Sequence, residues 1–289
     1  MTDEKHLNAL KELLHGAGIS FLLGMIGYIL MFFFRIIAAN YFGPSEFGLY
    51  EMAMTILGIV VIFSDLGIKS GIQRYIPYYL EKKESTLLRG YLKFIIVLPL
   101  LFSIIVSISL YILAEKITLF FGFDNSFTLF VKIISFSIIF KILYEIFIHI
   151  LVSYKQIYKA VVSYNIVERT ILLVGIILIV YYKLSLFSLM VLTLFSSIIS
   201  FLLAGYFVSK LQFKIKGKAK YEINDWLKFS FPLIFTGVLA YLLNWSDNFI
   251  IGKYLTATEV GIYGIAYSLA NYLNFIPGAF LGLFLPIVT

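Results

Sequence analysis

Residues 17–39 read AGISFLLGMIGYILMFFFRIIAA, an apolar stretch in which Arg35 is the only charged residue. A helix needs roughly 20 predominantly apolar residues to cross the hydrocarbon core of a bilayer, and this stretch has that length. Further stretches of the same kind lie at 46–64, 89–113, 127–151, 161–182, 186–208, 229–251 and 259–285. The sequence therefore predicts an all-α, polytopic membrane protein with about eight transmembrane helices.

The composition of the whole chain also indicates a membrane protein. Of its 289 residues, 61% are hydrophobic and 13% are charged, whereas soluble domains are roughly half apolar and a quarter charged. This composition excludes most soluble enzymes and ordinary nucleic-acid-binding domains, so we expect no nucleic acid as a partner despite the net charge of +7. The chain has no Cys and three scattered histidines, His6, His15 and His149, which predicts no metal site and no cofactor.

The basic residues between the predicted spans are distributed unevenly. If the N-terminus lies in the cytoplasm, most loop lysines and arginines, Lys69 among them, fall on the cytoplasmic side, and so does a basic loop at 209–228. The outer side then keeps only Lys116, Lys183 and Lys253. Because cytoplasmic loops carry the excess of Lys and Arg, we predict a multi-pass protein of the cell (cytoplasmic) membrane with a cytoplasmic N-terminus.

The chain contains an internal repeat. Shifted by 213 positions, YFGPSEFGLY at 41–50 aligns without a gap with YLTATEVGIY at 254–263. The identical pairs include Tyr41/Tyr254, Glu46/Glu259, Gly48/Gly261 and Tyr50/Tyr263. An even number of spans separates the copies, so both cross the membrane in the same direction, which is typical of parallel repeats.

This repeat predicts the domain organisation. An amphipathic cytoplasmic segment at 1–16 precedes a first six-helix lobe at 17–208, and 229–289 holds the first two helices of a second lobe. By this symmetry about four helices of the second lobe are missing. We therefore expect either a truncated product or a second chain that supplies the remaining helices.

Several short pieces of sequence resemble one known family. ANYFGPSEFGLY at 39–50 follows the first span, and SDLG at 64–67 precedes Arg74; in the second half, DNFIIG at 247–252 precedes VGIY at 260–263. In this order they resemble the polysaccharide biosynthesis proteins, the oligosaccharide-lipid flippases of the multidrug/oligosaccharidyl-lipid/polysaccharide exporter superfamily. The residues that match the family pattern in the first half are Gly43, Pro44, Gly48, Tyr50, Asp65, Gly67 and Arg74.

The resemblance implies a transporter and not an enzyme. Family members are expected to have two six-helix lobes around a central cavity, and to move a polyprenyl-diphosphate-linked oligosaccharide from the cytoplasmic to the outer leaflet. The implied partners are the lipid-linked oligosaccharide, membrane lipids, and other polysaccharide-assembly proteins or a chain that supplies the missing helices. The family usually has more spans than the eight predicted for this chain.

Charged residues inside the predicted spans are candidates for the cavity, because a charge at the bilayer centre costs about 2.5–3.5 kcal/mol on insertion scales. Lys141, Glu145 and His149 are spaced four residues apart on one helix face. They form either a local Lys141–Glu145 pair or a polar stripe on the cavity wall, with Lys141 meeting a substrate phosphate. Glu168 and Arg169 in the fifth span pose the same choice.

Two further groups lie near the predicted outer ends of spans. Arg35 either reaches the outer headgroups or faces the cavity, and Asp247 with Asn244 and Asn248 forms the counterpart of its region in the second half. Pro277-Gly278 in the eighth span is the best hinge candidate, although a kink without movement fits the same residues. The candidate cavity residues are Arg35, Lys141, Glu145, His149, Glu168, Arg169, Asn244 and Asp247.

Other functions remain open at this stage. A cation-coupled multidrug exporter of the same superfamily needs a membrane-embedded acid in the N-terminal lobe; the first span has none, and Glu145 and Glu168 keep this hypothesis open. A membrane-embedded transferase needs clustered acids to hold a divalent metal, and the cytoplasmic acids here lie apart. An inactive fragment or partial subunit is the remaining alternative.

Overall fold

The computed structural model describes residues 2–211 and 217–271, and this part of the chain consists of helices joined by turns and short loops, without strands. This confirms the all-α class predicted from the sequence. The helices are α1 Thr2–Asp65, α2 Ile68–Glu81, α3 Ser85–Phe121, α4 Asn125–Ser153, α5 Ile157–Val161, a π-helix at Val162–Val167, α6 Glu168–Tyr181, α7 Leu186–Ser209, α8 Ile223–Tyr254 and α9 at 257–271.

Within the described residues, 6 helical stretches are long and apolar enough to cross a membrane. They are Phe21–Asp65, Ser85–Phe121, Asn125–Ser153, Ile157–Tyr181, Leu186–Ser209 and Ile223–Tyr254. The chain is therefore a polytopic helical membrane protein. The eighth predicted span, 259–285, extends past the described residues, and the hinge candidate Pro277-Gly278 lies outside them.

The helix α1 reverses direction at Gly43. Arg35 Nη1 lies 3.0 Å from Glu51 Oε1, and the ring centroids of Phe34 and Tyr50 are 6.1 Å apart. Both pairs are 16 residues apart in sequence, a distance of about 24 Å in a straight helix at 1.5 Å per residue. The chain thus folds into a hairpin of two arms, 21–42 and 44–65.

Gly43 allows this reversal because its backbone is not helical, with φ 74° and ψ 171°. Residues with a side chain avoid this conformation, whereas glycine adopts it at little steric cost. Pro44 follows at the first position of the second arm, where its fixed φ suits a helix start and its missing N–H costs no hydrogen bond.

The helix α4 occupies the centre of the bundle. It packs most extensively against α3 and α7, and 56% of its apolar window is buried, the largest share among the six stretches in the described residues. Small hydroxyl side chains lie at these interfaces, and Ser107 Oγ donates to the Ser135 carbonyl oxygen at 2.7 Å. Small residues let helix backbones approach closely in lipid, where no hydrophobic force holds helices together.

The amphipathic helix α2 was not predicted from the sequence. Its buried face consists of Ile68, Ile72, Ile76 and Tyr79, which recur at helical spacing, and the stretch is too polar to stand out as a membrane span. It begins after Gly67, whose φ of 69° is left-handed. The helix packs against α3, α4 and α8 and so supports the end of the bundle where these helices meet.

Candidate functional site: a charged cavity inside the helix bundle

A cavity of about 450 Å³ lies between both arms of α1 and the helices α2, α4, α6, α7 and α8. Its wall is polar for a membrane protein. It carries three cations, Arg35, Lys69 and Lys141, and two acids, Glu145 and Glu168. Hydroxyl groups complete the polar lining, from Tyr50, Thr193, Ser196, Ser197 and Tyr241.

Lys141 is paired across helices. Its Nζ lies 2.6 Å from Glu168 Oε1, so the ion pair joins α4 to α6. Both side chains are mostly buried, with 22% and 12% exposed respectively. The alternative of a local pair between Lys141 and Glu145 is therefore wrong about the partner of Lys141. The carboxylate of Glu168 on the neighbouring helix lies closer to Lys141 than that of Glu145, one turn away.

Glu145 forms an ion pair with Lys69, which lies in the first turn of α2. Lys69 Nζ also lies 3.4 Å from Asp65 Oδ2, so this ammonium group stands between two carboxylates. Burial alone would lower the pKa of Lys69, but Glu145 and Asp65 outweigh it and raise the pKa above the ordinary value of lysine. The side chain is a permanent cation at the cavity wall, although the sequence analysis placed it in a loop.

His149 lies beside a second, adjoining cavity of about 370 Å³. Its Nδ1 is 3.2 Å from Gln73 Nε2, across the interface between α4 and α2. Asp65 and Lys69 line the same cavity, and Lys69 also lines the larger one. Lys141, Glu145 and His149 thus share a helix face, as predicted, but His149 faces a different space from Lys141.

Arg35 points into the bundle, and only 15% of its side chain is exposed. Besides Glu51, it contacts the hydroxyl of Ser268 and lies 3.5 Å from the carbonyl oxygen of Gly264, both on α9. Of the two alternatives for Arg35, the structure favours the cavity: the side chain lines it and contacts neighbouring helices.

Glu51 is the acid that the sequence analysis missed. Its side chain is 1% exposed, although it belongs to a membrane span. Oε1 faces Arg35, and the side chain also lies against Gly264, where an added Cβ would be 3.3 Å from Oε2. The signal was present, because Glu51 is an acid within the apolar window 46–64.

The repeat relates two contacts that lie beside the cavity. The position 213 residues after Arg35 is Asn248, which belongs to the predicted counterpart of the Arg35 region, and the position 213 residues after Thr55 is Ser268. Arg35 contacts Ser268, and Asn248 Nδ2 donates to Thr55 Oγ1 at 3.0 Å. The two contacts are therefore equivalent under the repeat, with a cation in one copy and an amide in the other.

Arg169 lies apart from the cavity-lining residues. Its guanidinium stacks near two rings, 5.1 Å from the centroid of Tyr28 and 5.5 Å from that of Tyr164. Its Nη1 is buried and has no hydrogen-bond partner within the described part of the chain. The lack of a side chain at Gly27 leaves room for it, because an added Cβ there would lie 2.9 Å from this nitrogen.

Asn244 and Asp247 do not join the cavity. Both are exposed on α8, where Asp247 accepts a hydrogen bond from Tyr263 and Asn244 Oδ1 accepts one from Tyr267 at 3.3 Å. The structure therefore separates these two candidates from the Arg35 group.

Most of the residues that match the family pattern shape or pack the helices and do not line the cavity. Gly43 and Pro44 form the hairpin described above, and Gly67 packs so closely on the backbone of Ser230 that a Cβ would overlap it. Arg74 lies outside the cavity, with its guanidinium 4.2 Å from the ring centroid of Phe229. Of this set, Tyr50 lines the cavity, and Asp65 reaches it through Lys69.

Comparison with known proteins agrees with these observations. Searches of curated proteins and of solved structures gave no significant match. The sequence model of one family, described as polysaccharide biosynthesis protein, matches residues 13–287. The match covers nearly the whole chain and confirms the resemblance seen in the sequence. This helical membrane protein therefore belongs to the polysaccharide biosynthesis protein family.

Proposed function

We propose that this protein is a flippase that moves a polyprenyl-diphosphate-linked oligosaccharide across the cytoplasmic membrane for cell-surface polysaccharide biosynthesis. The observation that carries the proposal is the charged cavity, in which Arg35, Lys69 and Lys141 face a common space between apolar helices. Family membership supports the same substrate class.

The physical problem of such a substrate is its head group. Sugar hydroxyls cannot enter hydrocarbon without losing their hydrogen bonds to water, and each lost bond costs a few kcal/mol. Hydroxyls and charges on the cavity wall replace those bonds while the polyprenyl tail stays among the lipids. Tyr50, Ser196 and Ser197 offer such groups beside the ion pairs.

The ion pairs make the charges of the cavity wall tolerable inside the membrane. A lone cation in a membrane span is costly, and Glu168 neutralises Lys141 at 2.6 Å. A diphosphate carries more negative charge than one carboxylate and forms strong charge-assisted hydrogen bonds with lysine and arginine. We infer that the diphosphate displaces Glu168 from Lys141 when the substrate enters.

The proposed architecture has eight spans, a cytoplasmic N-terminus and two lobes. The Gly43 hairpin supports counting the two arms of α1 as separate spans, and the contact of Arg35 with Ser268 beside that of Asn248 with Thr55 supports the repeat. The uneven distribution of basic residues supports the orientation. Further helices, on this or another polypeptide, complete the second lobe.

An export assay in cells tests the proposal. In a strain that depends on this protein for its surface polysaccharide, we expect the double variant K141M/E168Q to reduce surface glycan at least tenfold at unchanged protein level. The matched control is K132M/E115Q, which removes the ion pair between Lys132 on α4 and Glu115 on α3; the two groups are 3.3 Å apart and neither lines the cavity. Equal surface glycan in both double variants would contradict the proposal.

One observation favours a second candidate function, a cation-coupled multidrug exporter. Such a protein needs an acid embedded in the membrane, and Glu51 is buried in the second arm of α1 beside the cavity residue Arg35. Efflux of a cationic dye from cells distinguishes the two functions. Dye resistance that disappears in Glu51→Gln, with normal surface polysaccharide, would favour the exporter.

A further inference from the structure

A third cavity, of about 720 Å³, lies at the end of the bundle where α2 ends and α8 begins. It shares no lining residue with the central cavity, and its volume is within the roughly 300–1,000 Å³ that is typical of small-ligand clefts. In the proposed orientation this end faces the cytoplasm, the side from which the substrate enters. We call it the entry pocket.

The entry pocket has an aromatic floor. Tyr75, Tyr78 and Tyr79 come from α2 and Phe229 from α8, and the Tyr75 and Phe229 rings meet edge to face with centroids 5.7 Å apart. Tyr78 is 49% exposed, so its ring is available to a ligand. The negative face of such a ring attracts weakly positive C–H groups, which line the flat faces of sugar rings.

The rim of the pocket is charged but balanced. Three cations and three acids line it, namely Arg74, Lys220, Lys228, Glu84, Glu222 and Asp225. A free anion would face three carboxylates here. A ligand rich in hydroxyl groups suits this rim better, because a hydroxyl both donates to carboxylates and accepts from ammonium and guanidinium groups.

The pocket also joins the two parts of the molecule that the repeat defines. Tyr75 donates a hydrogen bond from its hydroxyl to the Asp225 carbonyl oxygen at 3.2 Å, and Trp226 Nε1 donates to the Tyr79 hydroxyl at 2.9 Å. Both bonds connect α2 of the first lobe with α8 of the second. A ligand that stacks on this floor therefore touches both sides of the junction.

We propose that the entry pocket binds the sugar end of the lipid-linked oligosaccharide before the head group enters the central cavity, with Tyr78 as the stacking platform. This inference rests on the proposed function for the identity of the glycan. It adds a carbohydrate site that is separate from the charges of the central cavity.

Titration calorimetry on the full chain in detergent micelles tests the site. The probe is the oligosaccharide released by mild acid from the lipid-linked pool of the source cells, without its lipid and diphosphate. We expect the wild type to bind it, Tyr78→Ala to weaken binding about tenfold, and Asp225→Asn to weaken it several-fold. Tyr158→Ala is the matched control, because Tyr158 is 62% exposed and lies outside the pocket.

A second readout locates the binding. The chain has 2 tryptophans, and in a Trp245→Phe background Trp226 reports on the floor through its bond to Tyr79. In this background we expect the oligosaccharide to shift the Trp226 emission of the Tyr158→Ala control but not that of Tyr78→Ala. Absence of binding to the wild type, or equal binding to Tyr78→Ala and Tyr158→Ala, would overturn the inference.

Inorganic diphosphate serves as a competing probe. If diphosphate displaces the oligosaccharide and shifts Trp226 by itself, the pocket is an anion site and the inference fails. Failure of the proposed function is recognised separately by reconstituted translocation of the intact lipid-linked substrate. Translocation without sugar binding overturns only the entry pocket, whereas sugar binding without translocation overturns only the flippase.

Discussion

Gly48 and Gly261 lie with their backbones in direct contact, and the contact is the same from either side. An added Cβ on Gly48 would lie 2.9 Å from the Gly261 nitrogen and overlap the Ala257 carbonyl, and one on Gly261 would lie 3.0 Å from the Gly48 nitrogen and overlap the Pro44 carbonyl. Pro44 and Ala257 are themselves 213 residues apart. The two copies of the sequence repeat therefore pack on each other through equivalent residues.

This contact predicts that even a methyl side chain at Gly48 lowers the stability of the fold. We expect Gly48→Ala to destabilise the protein by about 1–3 kcal/mol, because the methyl group forces two helix backbones apart. Thermal unfolding in detergent, followed by tryptophan emission, measures the change. Gly18→Ala, where an added Cβ meets nothing within 4 Å, is the control. Equal unfolding temperatures for both variants would refute the close packing.

At Gly43, by contrast, the backbone conformation and not the available space disfavours a side chain. A Cβ there meets nothing within 4 Å, yet φ is +74°. We expect Gly43→Ala to cost about 1–3 kcal/mol through backbone strain alone, and the same unfolding measurement tests it. An unchanged unfolding temperature would show that the hairpin reverses without the positive φ.

The Lys141–Glu168 pair predicts a double-mutant cycle. We expect Lys141→Met alone to destabilise the protein by about 3 kcal/mol, because it leaves a mostly buried carboxylate without its counter-charge. Adding Glu168→Gln should restore most of this loss, since the two effects are coupled. Chemical unfolding of the wild type, both single variants and the double variant gives the coupling energy. Additive losses would mean that the pair contributes nothing.

The proposed orientation can be tested because the chain has no Cys. Tyr158 and Tyr182 are 62% and 65% exposed and lie at opposite ends of the span Ile157–Tyr181. We expect a membrane-impermeant maleimide to label Tyr182→Cys in intact cells, and Tyr158→Cys only after the cells are permeabilised. The reverse pattern would place the N-terminus outside.

The sequence predicted the helical class and most spans because length and apolarity act locally along the chain. The window 127–151, for example, lies within the observed Asn125–Ser153. It did not predict which acid would neutralise Lys141. Glu145 lies one turn away on the same helix, and Glu168 lies on another span that could pack beside it. That choice depends on how α4 and α6 pack, and no local pattern contains this information.

Other features were hidden for different reasons. In the amphipathic helix α2, polar residues separate the buried isoleucines, so the stretch is less hydrophobic than a membrane span. The π-helix at Val162–Val167 lies within the predicted span 161–182, where nothing in the residue types marks a change of helix geometry. Glu51, by contrast, could have been found by searching the second predicted span for acids.

The central claim is that the cavity is a hydrated space which receives the substrate head group. Two neighbours on α7 test it: Ser196 lines the cavity, whereas Phe195 is 55% exposed on the outside of the bundle. In reconstituted membranes we predict that Ser196→Cys reacts with a charged thiol reagent, that the lipid-linked oligosaccharide protects it, and that Phe195→Cys stays unreactive. An unreactive Ser196→Cys, or a reaction that the substrate leaves unchanged, would contradict the account.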